Sequence, residues 1–425
     1  MNKMSSFIAS QRNVLMYVVA IFLLAGAIYA SFFFWRSQRM STNWMGPFLS
    51  AAQHLQPGER TFLIDLEDVL RFKSLDNVVQ EDAYHFAQST NTQPYIYDPI
   101  GYPYLIKAAT LLFPWAGNQL AIILLQCLVH SLLCICVFTA PGLPMGFRML
   151  FFGFYALNPL ILRFVIFNHY YFWQAIPSFW LLFGALGIRA KFGWAVLFLT
   201  LPLVLLARPT TLFICLFCLL VLYRFGPKAR ALGYTIFFIT TVTFLYVPNQ
   251  KNPWHTMYVG IGGYSNPTGI KLSDESGYAL FEENTGKLLN ASTGGNYFEP
   301  KVQNTYHMLT RQAYLSAWKQ HPFLLIKNSV VYFFGAFSLG YINKAPDWLN
   351  YFLAATGFLY FVFLLYKRKY WLLAASTITV IGFAPYYPPI QAYMYGNYLL
   401  LIWALIEVIL PFFPKSWSDT NPADS

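Results

Sequence analysis

Apolar runs long enough to cross a lipid bilayer recur along almost the whole chain, and they constrain its fold more than any other feature. A transmembrane helix needs about 20 mostly apolar residues. Of the 425 residues, 57% are hydrophobic and only 11% are charged, which excludes a soluble domain. The sequence predicts an all-α polytopic membrane protein with about 10 transmembrane helices, at residues 14–35, 118–140, 149–166, 172–188, 193–208, 209–224, 233–248, 350–366, 370–389 and 394–413.

The net charge of +11 comes from basic residues that lie on one side of these predicted helices. Lys and Arg in short loops mark the cytoplasmic side of a membrane protein. With the amino terminus inside, the short inside loops contain no acid before the carboxy-terminal tail, and their basic residues are Lys3, Arg12, Arg148, Arg189, Lys191, Arg224, Lys228, Arg230, Lys367, Arg368, Lys369 and Lys415. We therefore expect a multi-pass protein of the inner (cytoplasmic) membrane with both termini cytoplasmic, and no nucleic-acid partner.

The acidic residues concentrate in two long polar stretches that this topology places outside. Eight acids lie in the first stretch, 36–117, and five in the second, 249–322, out of 17 in the chain. These stretches divide the chain into three predicted parts. They are an N-terminal transmembrane bundle (1–248) that includes the extracytoplasmic loop 36–117, a second extracytoplasmic loop with an interfacial helix (249–349), and C-terminal transmembrane helices with a short cytoplasmic tail (350–425).

The apolar segment 323–342 is long enough to span and contains a single charge, Lys327. If it spanned, the basic turn 367–369 would lie outside, against the bias of Lys and Arg toward the cytoplasm. We therefore expect this segment to lie along the outer interface or to enter the membrane only in part.

Acidic residues of the first outer loop are candidates for a general base. Removing a proton from a sugar hydroxyl needs an ionisable acceptor held close to the reacting carbon. Asp82 is the first candidate, with Glu81 beside it and Asp65 behind, because adjacent carboxylates raise each other's proton affinity. Aromatic residues that follow this pair are suited to stacking on a sugar. If none of the three is the base, Asp274 and Glu275 of the second outer loop are next in line. The alternative for any one of these acids is an ordinary solvated surface charge.

Four basic residues are candidates for binding a phosphate at the outer end of the helices. Arg163 and Arg208 lie near the outer ends of predicted spans, where an ionisable residue is costly and marks a functional site by default. The guanidinium group is a planar fork that fits phosphate oxygens. His169 and Lys327 would complete a cationic site, and snorkelling toward ordinary lipid headgroups is the alternative. Glu407, toward the inside end of the last span, is left without an explanation.

The five cysteines lie inside apolar stretches, without nearby histidine or acidic ligands. Packing is therefore the favoured interpretation for each, and no metal-binding residue is predicted. No cofactor is expected with certainty, and a divalent metal ion remains an open alternative.

Several short motifs, in their order along the chain, resemble the GT-C glycosyltransferase superfamily, the integral-membrane enzymes that use polyprenyl-phosphate-linked sugars. Protein mannosyltransferases and lipid A aminoarabinose transferases are examples. The similar motifs are Pro-Ile-Gly-Tyr-Pro at 99–103, Ala-Arg-Pro-Thr at 207–210, His-Pro at 321–322, the basic turn at 367–369 and a Tyr-rich segment before the last span. The resemblance covers most of the chain and implies transfer with inversion at the anomeric carbon.

Two motifs of the superfamily are missing from this sequence. Members usually carry an acid, often Asp-Glu, soon after the first span, whereas the similar stretch 43–52 has no acid. The Arg-Tyr that usually precedes the last span is replaced by 395–398, Tyr-Gly-Asn-Tyr, which lacks arginine. The base is therefore assigned to the later acids of the loop, or the chain is a divergent member without that activity.

The sequence as a whole favours an enzyme that transfers a sugar from a polyprenyl-phosphate donor to a glycan, lipid or protein acceptor at the outer face. Membrane lipid would surround it. No nucleotide-binding motif lies in the inside loops, which argues against a nucleotide-sugar donor. Two alternatives from other classes remain, a lipid-linked glycan transporter or flippase and a non-catalytic protein of envelope assembly. A transporter would need charged or broken helices near the midplane, whereas the charges here cluster at the outer ends.

Overall fold

The protein is mostly helical in a computed structural model. The structure describes residues 2–36, 45–55, 63–87, 89–94, 101–140, 142–185, 200–225, 227–245, 253–289 and 296–414. Within these ranges it contains 19 α-helices and one small antiparallel sheet. The sheet pairs β1 (Leu63–Ile64) with β2 (Gln93–Pro94).

The helices fall into two groups along the chain. Those of the first half are α1 (Asn2–Arg36), α2 (Met45–His54), α3 (Leu66–Lys73), α4 (Val78–Ala83), α5 (Gly101–Leu112), α6 (Asn118–Phe138), α7 (Met145–Phe151), α8 (Pro159–Val165), α9 (Ala175–Ala185) and α10 (200–207). Those of the second half are α11 (Leu212–Phe225), α12 (Lys228–Leu245), α13 (Pro253–Gly260), α14 (Asp274–Thr285), α15 (Pro300–Gln320), α16 (Pro322–Gly335), α17 (Asp347–Tyr366), α18 (Tyr370–Val380) and α19 (Tyr395–Ile409).

Four of the described helices are long and apolar enough to cross a membrane. They are Leu15–Arg36 within α1, the whole of α6 and of α17, and Tyr395–Phe412, which extends α19. A fifth is added if α7, with the turn that follows it, and α8 form one bent span. The described residues therefore agree with the expected membrane protein and give four or five spans, where the sequence predicted about 10.

The bend between α7 and α8 has a local cause. A π-helical turn, Phe152–Ala156, continues α7, and the chain then changes direction by 61° at the next helix. Pro159 begins α8, where its missing N–H costs nothing, and the side chain of Asn158 accepts a hydrogen bond from Leu160 N at 2.9 Å. The predicted span 149–166 is thus two helical pieces with a capped break.

The predicted span 370–389 is helical only in its first half. Helix α18 ends at Val380, and turns follow it as far as Tyr386. Prolines at 385, 388 and 389 cannot donate backbone hydrogen bonds and so prevent the helix from continuing. Gly382 instead allows a close approach, because a Cβ there would lie 2.5 Å from the carbonyl oxygen of Thr210.

Helix α16 covers the segment 323–342 only in part. Its 14 residues span about 21 Å, which is less than the roughly 30 Å hydrocarbon core of a bilayer. Gly357 of α17 packs directly against the backbone of Phe334, where no side chain would fit. The helix therefore lies against α17 and is too short to cross by itself.

The basic turn 367–369 is tied to the last helix. Lys369 Nζ forms an ion pair with Glu407 Oε2, and the indole nitrogen of Trp403 donates to Glu407 Oε1 at 3.0 Å. This pair gives a structural reason for Glu407, which the sequence left unexplained.

Candidate functional site

Asp82, the first candidate base, is bound by an arginine of the first helix. Arg36 forms an ion pair with Asp82 Oδ1, and the two side chains are only 4% and 14% exposed. Burial is the largest influence on the pKa of Asp82 and raises it, while the charge of Arg36 and a hydrogen bond from Gln119 oppose that rise. The carboxylate therefore joins α4 to the end of α1.

Glu81 belongs to the same buried polar chain. Gln119 Nε2 donates to Asp82 Oδ1 at 3.2 Å and to Glu81 Oε2 at 3.4 Å. The other end of Gln119 accepts from Asn168 at 3.2 Å, and Asn168 accepts from the hydroxyl of Tyr102 at 2.7 Å. Glu81 and Asp82 thus share one hydrogen-bond partner, Gln119. Their contacts connect α4 to the amino-terminal ends of α5 and α6.

Asp65 stands at the amino end of α3. Its side chain accepts a hydrogen bond from Asp68 N at 3.0 Å, and its own N–H donates to Ser50 Oγ at 3.0 Å. Burial acts to raise the pKa of Asp65, but hydrogen bonds to its carboxylate, from Asp68 N first and then from Ser89 and Glu67 N, outweigh it and the pKa is lowered. The position is that of an N-cap residue, with the carboxylate used to satisfy the helix end.

Two of the four predicted phosphate ligands, Arg163 and Lys327, contact other residues than Arg208 does. Arg163 in α8 stacks on Trp35, with the guanidinium carbon 4.9 Å from the ring centroid. Lys327 in α16 is exposed, donates to the hydroxyl of Tyr351 at 3.0 Å and faces the ring of Tyr264. Within the described residues, neither side chain forms a hydrogen bond with Arg208 or shares an aromatic ring with it.

Arg208 is held by tyrosine rings. Its guanidinium carbon lies 4.1 Å from the ring centroid of Tyr393 and 5.3 Å from that of Tyr170, and Nη1 donates to the Tyr170 hydroxyl at 3.3 Å. The side chain is partly exposed, whereas its Nε is buried and has no hydrogen-bond partner in the part of the chain that the structure describes. A cation on aromatic faces keeps its charge and its donors for an anion.

Two glycines determine where the Arg208 turn lies. Gly101 begins α5 so close to α10 that a Cβ there would overlap the backbone of Leu203 and Ala207. On the far side, Gly382 meets the carbonyl of Thr210, two residues after Arg208. The turn that carries the cation is therefore fixed by backbone contacts from both sides.

His169 lies against the same site but does not add charge to it. Its ring is 3.8 Å from that of Tyr170 and 4.0 Å from that of Tyr171, between centroids, and the residue is buried. Burial and the positive charge of Arg208 lower the pKa of His169 well below its usual value. The structure thus brings together two of the four predicted ligands, Arg208 and His169. His169 is neutral near pH 7, and its Nδ1 lacks a partner among the described residues.

A second polar group, which the sequence did not single out as a unit, joins α13, α14 and α15. Asp274, at the start of α14, accepts from His255 Nε2 at 3.1 Å. The other ring nitrogen, His255 Nδ1, accepts from the hydroxyl of Tyr306 in α15. His255 is 11% exposed and Asp274 is 51% exposed, so the chain of contacts runs from a buried tyrosine to an accessible carboxylate.

This group adjoins the tyrosines around Arg208. Gly260, at the end of the helix that carries His255, packs against the backbone of Tyr386 and Tyr387. The ring of Tyr387 lies 5.2 Å from that of Tyr393, the ring under Arg208.

Electrostatic coupling agrees with this arrangement. Burial raises the pKa of Tyr171, Asp274 adds to that rise and Arg208 opposes it, and the same two charges act on Tyr387. A cation and a carboxylate therefore act on the same tyrosines, and these two groups can respectively bind an anion and accept a proton.

The described residues contain no cluster of three or more His, Cys, Asp or Glu side chains able to hold a metal ion. Asp98, Pro99 and Ile100, which form part of the motif before α5, lie outside the residues that the structure describes. No family model, curated protein or solved structure matches this chain.

Proposed function

We propose that this protein transfers a sugar from a polyprenyl-phosphate donor to a glycan, lipid or protein acceptor at the outer face of a cytoplasmic membrane. The proposal joins the resemblance to the GT-C superfamily with the arrangement around Arg208. The acceptor hydroxyl would lose its proton to a carboxylate, and Arg208 would hold the leaving phosphate as negative charge develops on it.

The observation that carries this proposal is the state of Arg208. Its guanidinium is bounded by the rings of Tyr170 and Tyr393, and its buried Nε has no partner within the described residues. A buried donor without a partner costs about 1–3 kcal/mol, and more when it is charged. A phosphate oxygen would satisfy it, and Arg is suited to that geometry.

The charge of the region favours a single phosphate group. Arg208 supplies one positive charge, and His169 is neutral because burial and Arg208 lower its pKa. The carboxylate of Asp274 also acts on Tyr171 and has its own partner in His255. The single cation, Arg208, can therefore balance the one negative charge of a phosphodiester, whereas a diphosphate would bring a further charge without a cation.

The same proposal includes the finer topology. We take the chain to have about 10 transmembrane helices in the inner membrane, with both termini cytoplasmic and the loops 36–117 and 249–349 outside. The distribution of Lys and Arg supports this orientation. It places Arg208 at the outer ends of the helices, at the level of lipid phosphates.

Binding of undecaprenyl phosphate to the protein in lipid nanodiscs tests the phosphate site. We expect Arg208→Ala to weaken binding by at least about 30-fold, since loss of a buried charged hydrogen-bond partner costs about 2–5 kcal/mol. Arg208→Lys should restore it only in part, because an ammonium group cannot form the bidentate contact. Arg163→Ala is the matched control, an arginine on an aromatic ring outside this site, and should bind normally.

Turnover tests the reaction itself. Undecaprenyl phosphate carrying glucose, mannose, galactose or aminoarabinose would be offered in turn, with water as the acceptor, and release of undecaprenyl phosphate would be measured. Release from at least one donor, lost in Arg208→Ala, is the expected result. Equal binding by Arg208→Ala and the wild type, or no release from any donor by the wild type, would refute the proposed function.

A further inference from the structure

The contacts of Asp274, His255 and Tyr306 form an ordered relay across three helices. Tyr306 is fully buried and its hydroxyl is hydrogen-bonded to His255 Nδ1. An ionised carboxylate can only accept, so His255 Nε2 carries a proton and donates to Asp274 Oδ1 at 3.1 Å. The buried tyrosine therefore holds the imidazole on the side opposite to Asp274.

The hydrogen bond between Tyr306 and His255 requires a glycine at position 277. A Cβ on Gly277, one turn into α14, would lie 2.8 Å from His255 Nδ1 and would overlap the Tyr306 hydroxyl. Tyr278 stacks on the imidazole at 6.2 Å between centroids, with planes 12° apart. Glycine at 277 therefore lets His255 and Tyr306 meet, and the stacked ring holds the imidazole in the orientation that faces Asp274.

The helix that carries His255 packs against the tyrosines of the phosphate site. Gly260, at its end, meets the backbone of Tyr387, whose ring lies 5.2 Å from that of Tyr393. Asp274 is 51% exposed, and His255 donates to its Oδ1. The charges of Asp274 and Arg208 both act on Tyr171 and Tyr387. A carboxylate held from behind and open in front is the arrangement that a proton acceptor needs.

We propose that Asp274 is the general base of the site that Arg208 heads, and that His255 and Tyr306 are positioning residues for its carboxylate. This inference rests on the sugar-transfer function proposed above. It selects an acid of the second outer loop, in place of the first-loop acids that the sequence favoured. Those acids have structural partners, Arg36 for Asp82 and the start of α3 for Asp65.

The reaction balances with these groups alone. The acceptor oxygen forms a bond to the anomeric carbon of the sugar as its proton passes to Asp274. The bond from that carbon to the phosphate oxygen breaks, and its electron pair stays on the phosphate, whose charge Arg208 holds. The proton on Asp274 is then lost to water, which reaches the exposed carboxylate.

The pH dependence follows from the groups around Asp274. Partial burial acts to raise the pKa of Asp274, but the hydrogen bond and charge of His255 outweigh it, so the pKa is lowered. Asp274 is therefore ionised near pH 7 and becomes protonated only at low pH. The titratable and charged groups that face this region are His255, Tyr306, Glu275, Tyr278, Tyr171, Tyr387 and Arg208.

Donor hydrolysis by the protein in nanodiscs tests the inference, with the undecaprenyl-phosphate sugars named above. We expect Asp274→Asn to lower the rate by about 10²–10⁴-fold, the contribution of a well-placed base, while undecaprenyl phosphate binds within twofold of the wild type. Glu275→Gln, which removes the adjacent acid in the same helical turn, should retain both the hydrolysis rate and the binding of undecaprenyl phosphate. Asp82→Asn and Glu81→Gln should keep turnover within tenfold.

A pH profile separates positioning from mere stability. Removing the donor with His255→Phe should shift the acid limb of the rate upward by about one pH unit, because a hydrogen bond to a charged group is lost. Tyr306→Phe should shift it in the same direction by less. Glu275→Gln should shift it little.

These experiments can refute the role of Asp274 as the base without refuting the proposed sugar transfer. If the wild type releases undecaprenyl phosphate and Asp274→Asn does so within tenfold, the inference is overturned and the function stands. Loss of turnover in Asp82→Asn with retention in Asp274→Asn also overturns it, as does an unchanged acid limb in His255→Phe. No release by the wild type from any donor refutes both.

Discussion

Replacing Gly101 with alanine tests whether backbone contacts fix the phosphate site. Gly101 is the first residue of α5. A Cβ there would lie 2.8 Å from the carbonyl carbon of Leu206 and would overlap backbone atoms of Leu203 and Ala207. No side chain can rotate away to relieve such a clash, since the atoms belong to the helix itself.

The size of the effect can be worked from these contacts. Carbon atoms pack at about 3.5–4.0 Å, so α10 must move away from α5 by about 1 Å or more. Overpacking of this kind typically costs about 1–3 kcal/mol of stability. Because Arg208 follows directly after α10, its guanidinium moves with the helix, and a misplacement of about 1 Å in a site can cost 10²-fold in rate. We therefore expect Gly101→Ala to lower both the unfolding temperature and donor turnover.

The assay compares glycines that differ only in their surroundings. Thermal unfolding in nanodiscs, binding of undecaprenyl phosphate and donor turnover would be measured for Gly101→Ala and Gly233→Ala. Gly233 lies within α12 and a Cβ there would meet no atom within 4 Å. Alanine in a helix interior is favoured over glycine by about 0.8–1 kcal/mol, so this control should unfold at the same or a slightly higher temperature.

The reasoning would be refuted by a Gly101→Ala protein that unfolds, binds and turns over like the wild type. A loss of stability without any loss of binding would keep the packing argument and remove the link from α5 to Arg208.

Two further predictions address the outer loop and the topology. Asp65→Ala should lower the free energy of unfolding by about 1 kcal/mol through loss of the α3 cap. Because the folded pKa of Asp65 is lowered, its stabilisation is present above the unfolded pKa of about 3.9 and is lost as the pH falls through the folded value. Unfolding temperature against pH checks this, and lost turnover at unchanged stability would make Asp65 the base instead. For topology, Arg368→Cys should react with an impermeant thiol reagent only in opened cells, whereas Glu275→Cys should react in intact cells. Labelling of Arg368→Cys from outside would make the segment 323–342 a full span.

The long spans were predictable because a transmembrane helix satisfies its own backbone. A continuous apolar run therefore determines its structure locally, and the predicted 14–35 and 118–140 correspond closely to Leu15–Arg36 and α6. The segments 149–166 and 370–389 were predicted as single spans. Their breaks depend on Pro and Gly positions and on a close approach to Thr210, a residue far away in the sequence.

Of the residues around the phosphate site, only Arg208 and His169 were predicted from the sequence. Arg208 is conspicuous because an ionisable residue at membrane depth is expensive. Its partners Tyr170 and Tyr393 come from distant parts of the chain, and no local spacing connects them. The Tyr-rich segment before the last helix indicated that aromatic rings gather there. It did not indicate that they surround Arg208.

The relay of Asp274 was missed for a similar reason. An aspartate at the start of a helix is usually explained by its favourable interaction with the helix dipole, and Asp274 lies in the first turn of α14. Its distinguishing feature is the bond to His255, 19 residues earlier, which depends on Gly277 and on Tyr306 from another helix. Only the packing of three helices brings these side chains together.

The basic residues of the described chain differ in what surrounds them, and the difference favours Arg208 as the ligand-binding cation. Arg36 and Lys369 each meet a carboxylate, Asp82 and Glu407, so their charges are compensated within the protein. Such pairs hold helices together but attract an anion only weakly. Arg208 is bounded by tyrosine rings, which stabilise a cation through their faces without cancelling its charge. An acid in contact with Arg208 would have compensated that charge and excluded a phosphate. Asp274 and Arg208 instead act on the same tyrosines, Tyr171 and Tyr387, and Asp274 is bound by His255. Since the proposed base has its own partner, the charge of Arg208 stays available for a phosphate.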